Sequence, residues 1–397
     1  MIAVVFSWRS IAFLLVAGTF ASLIHTYIYR RLVRDTVKEA RIRKISVVIA
    51  AAMVILLLVL RPLVKLVPRV WAVPISTAVW FWMGFATYLF FWLAVIDAAR
   101  VVFELRRRIA PRTKASEPVS PERRLFLSRA IAGGALATSG ALTTYGFWRA
   151  FEPAELTELP IRLPNLPKAL DGLSIVQLTD LHVSSVIRRQ FVEEMVRRTN
   201  ALKPDLVAIT GDLVDGDVDQ LAEAVTPLRD LKSRYGTFFV TGNHDYYSGD
   251  VQWAAAVSRM GIQVLRNRLV RIGDAGASFD LVGVDDWSAR KTRPRGGYNL
   301  ERAIAGRDPD RASVLLAHEP ANFETAVERG MGLQLSGHTH GGQLFPVTAL
   351  VSLRWLRYRG LYCYRSGQMY VSRGVGFWGP PLRVGSPPEI VKVTLLA

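Results

Sequence analysis

The chain has one cysteine, Cys363, in 397 residues. That scarcity excludes an intramolecular disulfide and leaves the redox compartment unread; we take Cys363 as a buried or inert thiol. Acidic residues are scarce where the chain begins. Residues 1–150 hold 6 Asp/Glu against 21 Lys/Arg, whereas the remainder is nearly balanced, 27 against 29. The formal charge of +17 is therefore no basic stripe on a folded domain, as an extended nucleic-acid track requires. No stable nucleic-acid partner is expected. Solenoid-period repeats and long low-complexity tracts are also missing.

The basic excess instead flanks apolar segments, where loop charge sets membrane orientation. Residues 1–109 contain three segments near the roughly 20 apolar residues that cross a bilayer, at about 11–28, 45–67 and 71–98. The third is rich in Trp, Phe and Tyr, as suits interfacial belts. Residues 110–129, with their Pro, Ser and Thr, read as a linker. It ends in a twin-arginine-like stretch, Arg123-Arg124-Leu125-Phe126-Leu127. Segment 130–148, rich in Gly, Ala and Thr, is either a plain fourth span or a retained signal-anchor. Arg and Lys crowd 30–44 and 100–129, so the positive-inside rule makes both loops cytoplasmic. With 130–148 spanning, the downstream domain lies on the non-cytoplasmic side of a multi-pass protein; otherwise it faces the cytoplasm. An intramembrane ionisable residue would suggest a transporter, and only His25 and Asp97 qualify, both near span ends.

From about residue 155 to 397 the texture changes. Short apolar runs predict strands at 174–179, 206–210, 237–241, 279–284, 313–317, 333–336, 369–372 and 390–395, with an amphipathic helix over 190–202. Strands alternating with helices imply a sheet-centred α/β domain. Five of these strands run into potential metal ligands. They are Asp180-Leu181-His182, Asp212 with Asp215, Asn243-His244-Asp245, His318, and His338-Thr339-His340. Asp-X-His alone is common, and Gly-Asn-His-Asp alone reads as a turn. Five such clusters in order, using five of the six histidines, point to one metal site beyond the carboxyl ends of the strands. Carboxylate and imidazole donors suit Mn, Fe or Zn.

These motifs resemble the calcineurin-like metallophosphoesterases over roughly residues 155–397. Gly337-His338-Thr339-His340-Gly341-Gly342-Gln343, Tyr370 to Gly376, and Trp378 to Ile390 are similar to the membrane-associated bacterial YkuE/YaeI-like branch. The resemblance implies a four-layer α/β/β/α sandwich behind a helical transmembrane region. It implies two divalent metal ions, one held by Asp180, His182, Asp212 and His340. Asp212 would bridge to the second, completed by Asn243, His318 and His338. His244 would act on the leaving oxygen rather than as a ligand, and adjacent Asp245 is the expected orienting partner. Asp215 reads as a supporting or turn residue.

The expectation is thus a membrane-anchored phosphoesterase in a bacterial cell membrane, acting on a phosphate ester or pyrophosphate bond, with a phospholipid or envelope component as candidate substrate. A nucleotide phosphodiesterase or nuclease is the enzyme alternative. A non-catalytic metal-binding membrane sensor is the other, and it would predict erosion of the ligand set, which is intact. Trp355, Tyr358, Tyr362 and Tyr364 alternate with Arg354, Arg357, Arg359 and Arg365. They read as a lipid-facing lip or as a loop packing aromatics onto the sheet, and we take the second, plainer reading.

Overall fold

The computed structural model describes residues 8–109, 120–274, 276–291 and 297–397. Contacts divide the chain into a unit ending at Phe147 and a unit from Trp148 to Ala397.

The first unit is helical: α1 (Trp8–Tyr29), α2 (Ala40–Leu66), α3 (Arg69–Ile109) and α4 (Pro121–Phe151), the last running across the division. The four expected apolar segments fall in these helices in order. At 1.5 Å per residue the 22 residues of α1 reach roughly 33 Å. Among the described residues, α2, α3 and α4 contain stretches long and apolar enough to cross a membrane, at Ala40–Leu60, Val70–Ile109 and Pro121–Phe151. Leu89, Leu93, Ala86 and Ala135 form the buried centre of this unit with Ile28.

Two boundaries differ from expectation. α3 continues past residue 98 to Ile109, and its last turn carries Arg106, Arg107 and Arg108, whose charge favours a helix C-terminus. α4 begins at Pro121, inside the expected linker, whose residues 110–119 lie outside the described residues. Ser120 Oγ accepts the Arg123 N–H at 3.2 Å, Pro121 takes the first helical position, and Glu122 sits in the first turn. Ser-Pro-Glu is a helix start here, although the same letters suit a loop. His25 and Asp97 have structural partners. His25 Nδ1 meets the Ala21 carbonyl at 2.8 Å while Nε2 accepts from Trp82 Nε1 at 2.9 Å. Asp97 accepts from Tyr27 at 2.7 Å and pairs with Arg31 at 2.5 Å.

Among its described residues the second unit holds twelve strands: β1 (Glu155–Arg162), β2 (Ser174–Leu178), β3 (Leu206–Thr210), β4 (Thr237–Val240), β5 (Gln263–Val264), β6 (Arg268–Asp274), β7 (Ala277–Gly283), β8 (Ser313–Leu316), β9 (Leu333–Ser336), β10 (Gly360–Tyr364), β11 (Gly367–Val371) and β12 (Glu389–Leu396). They form two six-stranded sheets, ordered β1-β12-β2-β3-β4-β5 and β10-β11-β9-β8-β7-β6. The helices are α5 (Arg189–Ala201), α6 (Val218–Val225), α7 (Asn243–Tyr247), α8 (Asp250–Arg259), α9 (Leu300–Ala303), α10 (Phe323–Glu328) and α11 (Val347–Arg354).

Side-chain alternation sets the layers, because successive residues of a strand face opposite sides. On β3, Leu206 and Ala208 join Phe279, Leu281, Val314 and Leu335 of the other sheet in a core between the sheets. Val207 and Ile209 face the other way, onto Val192 and Val196 of α5, Leu221 of α6 and Trp253 of α8. On the second sheet Val282 and Leu315 turn outward against Leu300 of α9 and Ala326 of α10. The result is the expected α/β/β/α sandwich. Both faces of β2, β3 and β4 are covered, so these strands read as continuous apolar runs. Cys363 corrects the reading of a buried thiol. It is exposed, since Leu361 and Cys363 share the outward face of edge strand β10 while Tyr362 and Tyr364 turn inward.

Phe279 is fully buried between the sheets. Phe279→Ala should destabilise the second unit by about 3–5 kcal/mol, the range for an aromatic deleted from a tight core. Thermal unfolding of the full chain should show a clear loss in melting temperature, and Phe279→Leu should restore most of it.

Candidate metal centre

Parallel pairing aligns β2 with β3 and β4, and β8 with β9, so their carboxyl ends open toward one place. Asp180 and His182 follow β2, Asp212 follows β3, Asn243 starts α7 beyond β4, His318 follows β8, and His338 and His340 follow β9. Their side chains converge as three donor clusters: Asp180 with His182 and His340, His182 with Asp212 and His244, and Asp212 with His318 and His338. Every residue named for the metals is brought together, with Asn243 Oδ1 3.0 Å from His338 Nδ1.

The backbone is strained where it delivers these groups. Asp180 (φ 54°), His182 (48°), Asp212 (50°), His338 (73°) and His340 (52°) all occupy the left-handed region. Such residues cost on the order of 1–3 kcal/mol each and persist where the surroundings over-determine them. Small neighbours make the close approach feasible. A Cβ at Gly211 would come within 2.6 Å of His318 Nδ1, and one at Gly337 within 2.2 Å of Asp180 Oδ2.

Hydrogen bonds fix which atom each ring presents. His318 Nδ1 meets the Thr210 carbonyl at 2.9 Å, leaving Nε2 3.1 Å from Asp212 Oδ2. His182 Nδ1 is held by Asp215 at 3.1 Å, so its Nε2 faces His340 Nε2 at 3.1 Å and Asp212 Oδ2 at 3.6 Å. His340 Nε2 lies 3.3 Å from Asp180 Oδ1. An outer carboxylate or carbonyl on the far ring nitrogen is how proteins set the tautomer of a metal-binding histidine.

Electrostatics separate the members. Burial pushes Asp180 above its ordinary value, against the pull of His318. Asp212 goes the other way: His318 and His182 outweigh burial and hold it well below the carboxylate range. Burial alone would lower His182, but Asp215, Asp212 and Asp180 push it up to about 9. Burial and His318 lower His338 to about 3, and burial with Arg383 holds His340 well below its ordinary value. His338 and His340 are therefore neutral imidazoles, the form that binds a metal. Imidazole, amide and carboxylate donor atoms gather at 3.0–3.6 Å from one another, the atom types that Mn, Fe or Zn ions bind. The donor set fits divalent metal.

Asp245 departs from expectation. Its Oδ1 accepts the Leu213 N–H at 2.9 Å and its Oδ2 the Gly242 N–H at 2.8 Å, so it reaches back to the residue that starts α7. Burial and Asp212 raise it to about 7. The carboxylate on His244 is instead Asp215, 2.6 Å from its Nδ1, with the same oxygen that holds His182. Asp215 reaches both rings because β3 and the loop after it run beside Val183. Arg383 carried no signal in sequence beyond its place in the Trp378–Ile390 motif. It is fully buried, and its guanidinium donates to the carbonyls of His340 (3.0 Å), Arg373 (2.8 Å) and Gly376 (3.1 Å) and approaches His340 Nδ1 at 3.2 Å. The aromatic cluster splits. Tyr362 and Tyr364 pack on the sheet as expected, whereas the Trp355 ring lies 5.4 Å from His338. Tyr247 and Trp378 flank His244, 5.4 and 6.1 Å away.

Donors of this kind at the strand ends of a double sheet define a metal-dependent phosphoester hydrolase site. Comparison with known proteins agrees. The model of the calcineurin-like phosphoesterase family matches residues 173–342. The chain is 35% identical over 326 residues to a transmembrane protein with metallophosphoesterase domain of Bos taurus, covering 79% of this chain and 72% of that one. A protein of the same description from Danio rerio is 38% identical over 269 residues, 66% of this chain but 62% of its own length, less than two thirds. The uncharacterized metallophosphoesterase YkuE of Bacillus subtilis is 33% identical over 286 residues, 69% of this chain and 97% of its own length. The chain belongs to the calcineurin-like metallophosphoesterase family.

Replacing Arg383 with Met would strand buried carbonyls, each costing about 1–3 kcal/mol when left without a donor. We expect Arg383→Met to lower both the melting temperature and the metal retained per chain after gel filtration.

Proposed function

We propose that the chain is a membrane-anchored, two-metal phosphoesterase of a bacterial cell membrane, hydrolysing a phosphate ester or pyrophosphate bond of an amphiphilic substrate such as a phospholipid or another envelope component. The observation that carries this reading is Asp212, the carboxylate common to two donor clusters on either side of it. Asp180, His182, Asp212 and His340 would hold one ion; Asp212, Asn243, His318 and His338 would hold the other. When bound, Mn, Fe or Zn would supply Lewis acidity toward phosphoryl oxygens and a more acidic water.

The remaining steps belong to the chain's own residues. Asp215 engages His244 Nδ1, so Nε2 is the atom that presents a proton to the leaving oxygen. The His244 N–H donates to Asp212 Oδ1 at 2.8 Å, which ties the proton donor to the shared carboxylate. Asp245 sets the start of α7 and so the position of Asn243 and His244.

Membrane orientation follows from charge. With α1 to α4 all crossing, the basic residues at 30–44 and 100–129 face the cytoplasm, and the catalytic unit lies on the non-cytoplasmic side. The 31-residue length of α4 supports its crossing.

The test is turnover of bis-p-nitrophenyl phosphate by the full chain in lipid nanodiscs, stripped of metal and resupplied. His340→Ala should lose metal and turnover together. His244→Ala should keep its metal and lose about 10²–10⁴ of its rate, the usual contribution of a positioned acid. Asp215→Asn should fall between them and wild type. Metal-loaded wild type that cleaves neither this diester nor p-nitrophenyl phosphate contradicts the reading.

A further inference from the structure

Near the metal centre the second unit carries a run of leucines that is exposed among the described residues. Helix α11 has eight residues and none is buried. A helix so short is marginal in water unless packing supports it. Leu350, Leu353 and Leu356, three residues apart along α11 and the turn after it, are 67%, 80% and 88% exposed. Single exposed leucines are ordinary, but a contiguous run on one short element marks an interaction surface.

The charge around this run is of one sign. Residues 345–365 contain four arginines and no Asp or Glu. Arg357 and Arg365 are met from a neighbouring helix by Glu324 and Glu328. Arg354 and Arg359 instead lie over the rings of Trp355 and Tyr358, at 4.9 and 5.2 Å. Arg359 also donates to the Gly385 carbonyl at 3.0 Å. Exposed leucines beside arginines seated on Trp and Tyr form the pattern of an interfacial element.

We propose that α11 and its following turn dock on an anionic lipid surface, with Leu350, Leu353 and Leu356 in the acyl boundary and Arg354 and Arg359 at the level of the phosphates. A second copy of the chain is the less fitting occupant, because a two-fold contact would bring this arginine-rich patch against itself. A bilayer, by contrast, is always at hand. The membrane-crossing helices of the same chain keep it at high effective concentration. Trp355 joins this surface to the metal centre through its contact with His338, so docking would place the bilayer surface at the mouth of the site. The inference goes beyond the catalytic reading, since it concerns where the surface sits and holds whatever ester is cleaved.

The test uses position, not turnover. In the full chain with Cys363→Ser, Leu353→Cys carries an environment-sensitive fluorophore, and Glu193→Cys on α5 carries it as the control. Both chains enter nanodiscs of phosphatidylcholine and phosphatidylglycerol with brominated acyl chains. The label at 353 should lose most of its emission to bromine and be shielded from aqueous iodide, while the label at 193 behaves oppositely. Omitting phosphatidylglycerol, or adding Leu350→Asp at unchanged melting temperature, should restore most of the emission at 353. A label at 353 open to iodide and insensitive to bromine overturns the proposal. So does shielding at 353 that depends on chain concentration rather than on lipid, which identifies a second copy as the occupant.

Discussion

Two buried carboxylates, three buried imidazoles and the half-buried His338 packed within contact distance of one another are tolerable only when positive charge lies among them, and the second unit is built around that constraint. Protons partly meet it, since Asp212 and Asp215 draw His318 and His182 toward the charged form. They cannot meet it everywhere, because burial keeps His338 and His340 neutral. Divalent ions satisfy both halves at once, binding the neutral rings and balancing the carboxylates.

The double sheet supplies what such a cluster needs. Five strands end at the same edge and hand over their donors just past regular pairing, those after β2, β3 and β9 in left-handed backbone that only a rigid surround maintains. The surround is visible in the cores on both sides of the first sheet and in Arg383, which ties His340 to the carbonyls of Arg373 and Gly376. The strain at the donors and the apolar cores beneath them are two parts of one arrangement. Rings of Trp355, Tyr247 and Trp378 then surround the outer histidines, so the polar cluster opens into an aromatic rim.

Much of this was legible in sequence, for a definite reason. In parallel strands buried on both faces, an apolar run followed by Asp, Asn or His is a local signal, and position along the chain gives position at the sheet edge. All eight expected strands correspond to observed ones, and the named donors meet. What could not be read depends on contacts between distant residues. β1 lacks an apolar run because it lies at a sheet edge, paired only with β12. Asp245 is adjacent to His244, yet the ring turns to Asp215, 29 residues away, because α7 uses Asp245 to cap its own start. The value of Arg383 comes from carbonyls at His340 and at Arg373 and Gly376, far from it in sequence or across its own loop. Ser120-Pro121-Glu122 carries letters common to loops and helix starts, so only the fold decides between them. The exposure of α11 was hidden for a similar reason, since a three-residue leucine spacing equally describes a helix with a covered face.

The central claim is that Asp212 is shared between two ions. Loading the full chain with Mn and recording its electron paramagnetic resonance tests this directly. The account predicts the spectrum of a spin-coupled pair, which Asp212→Ala converts to that of isolated ions. A single uncoupled ion in fully loaded wild type, with no second site filled at higher metal, would contradict it.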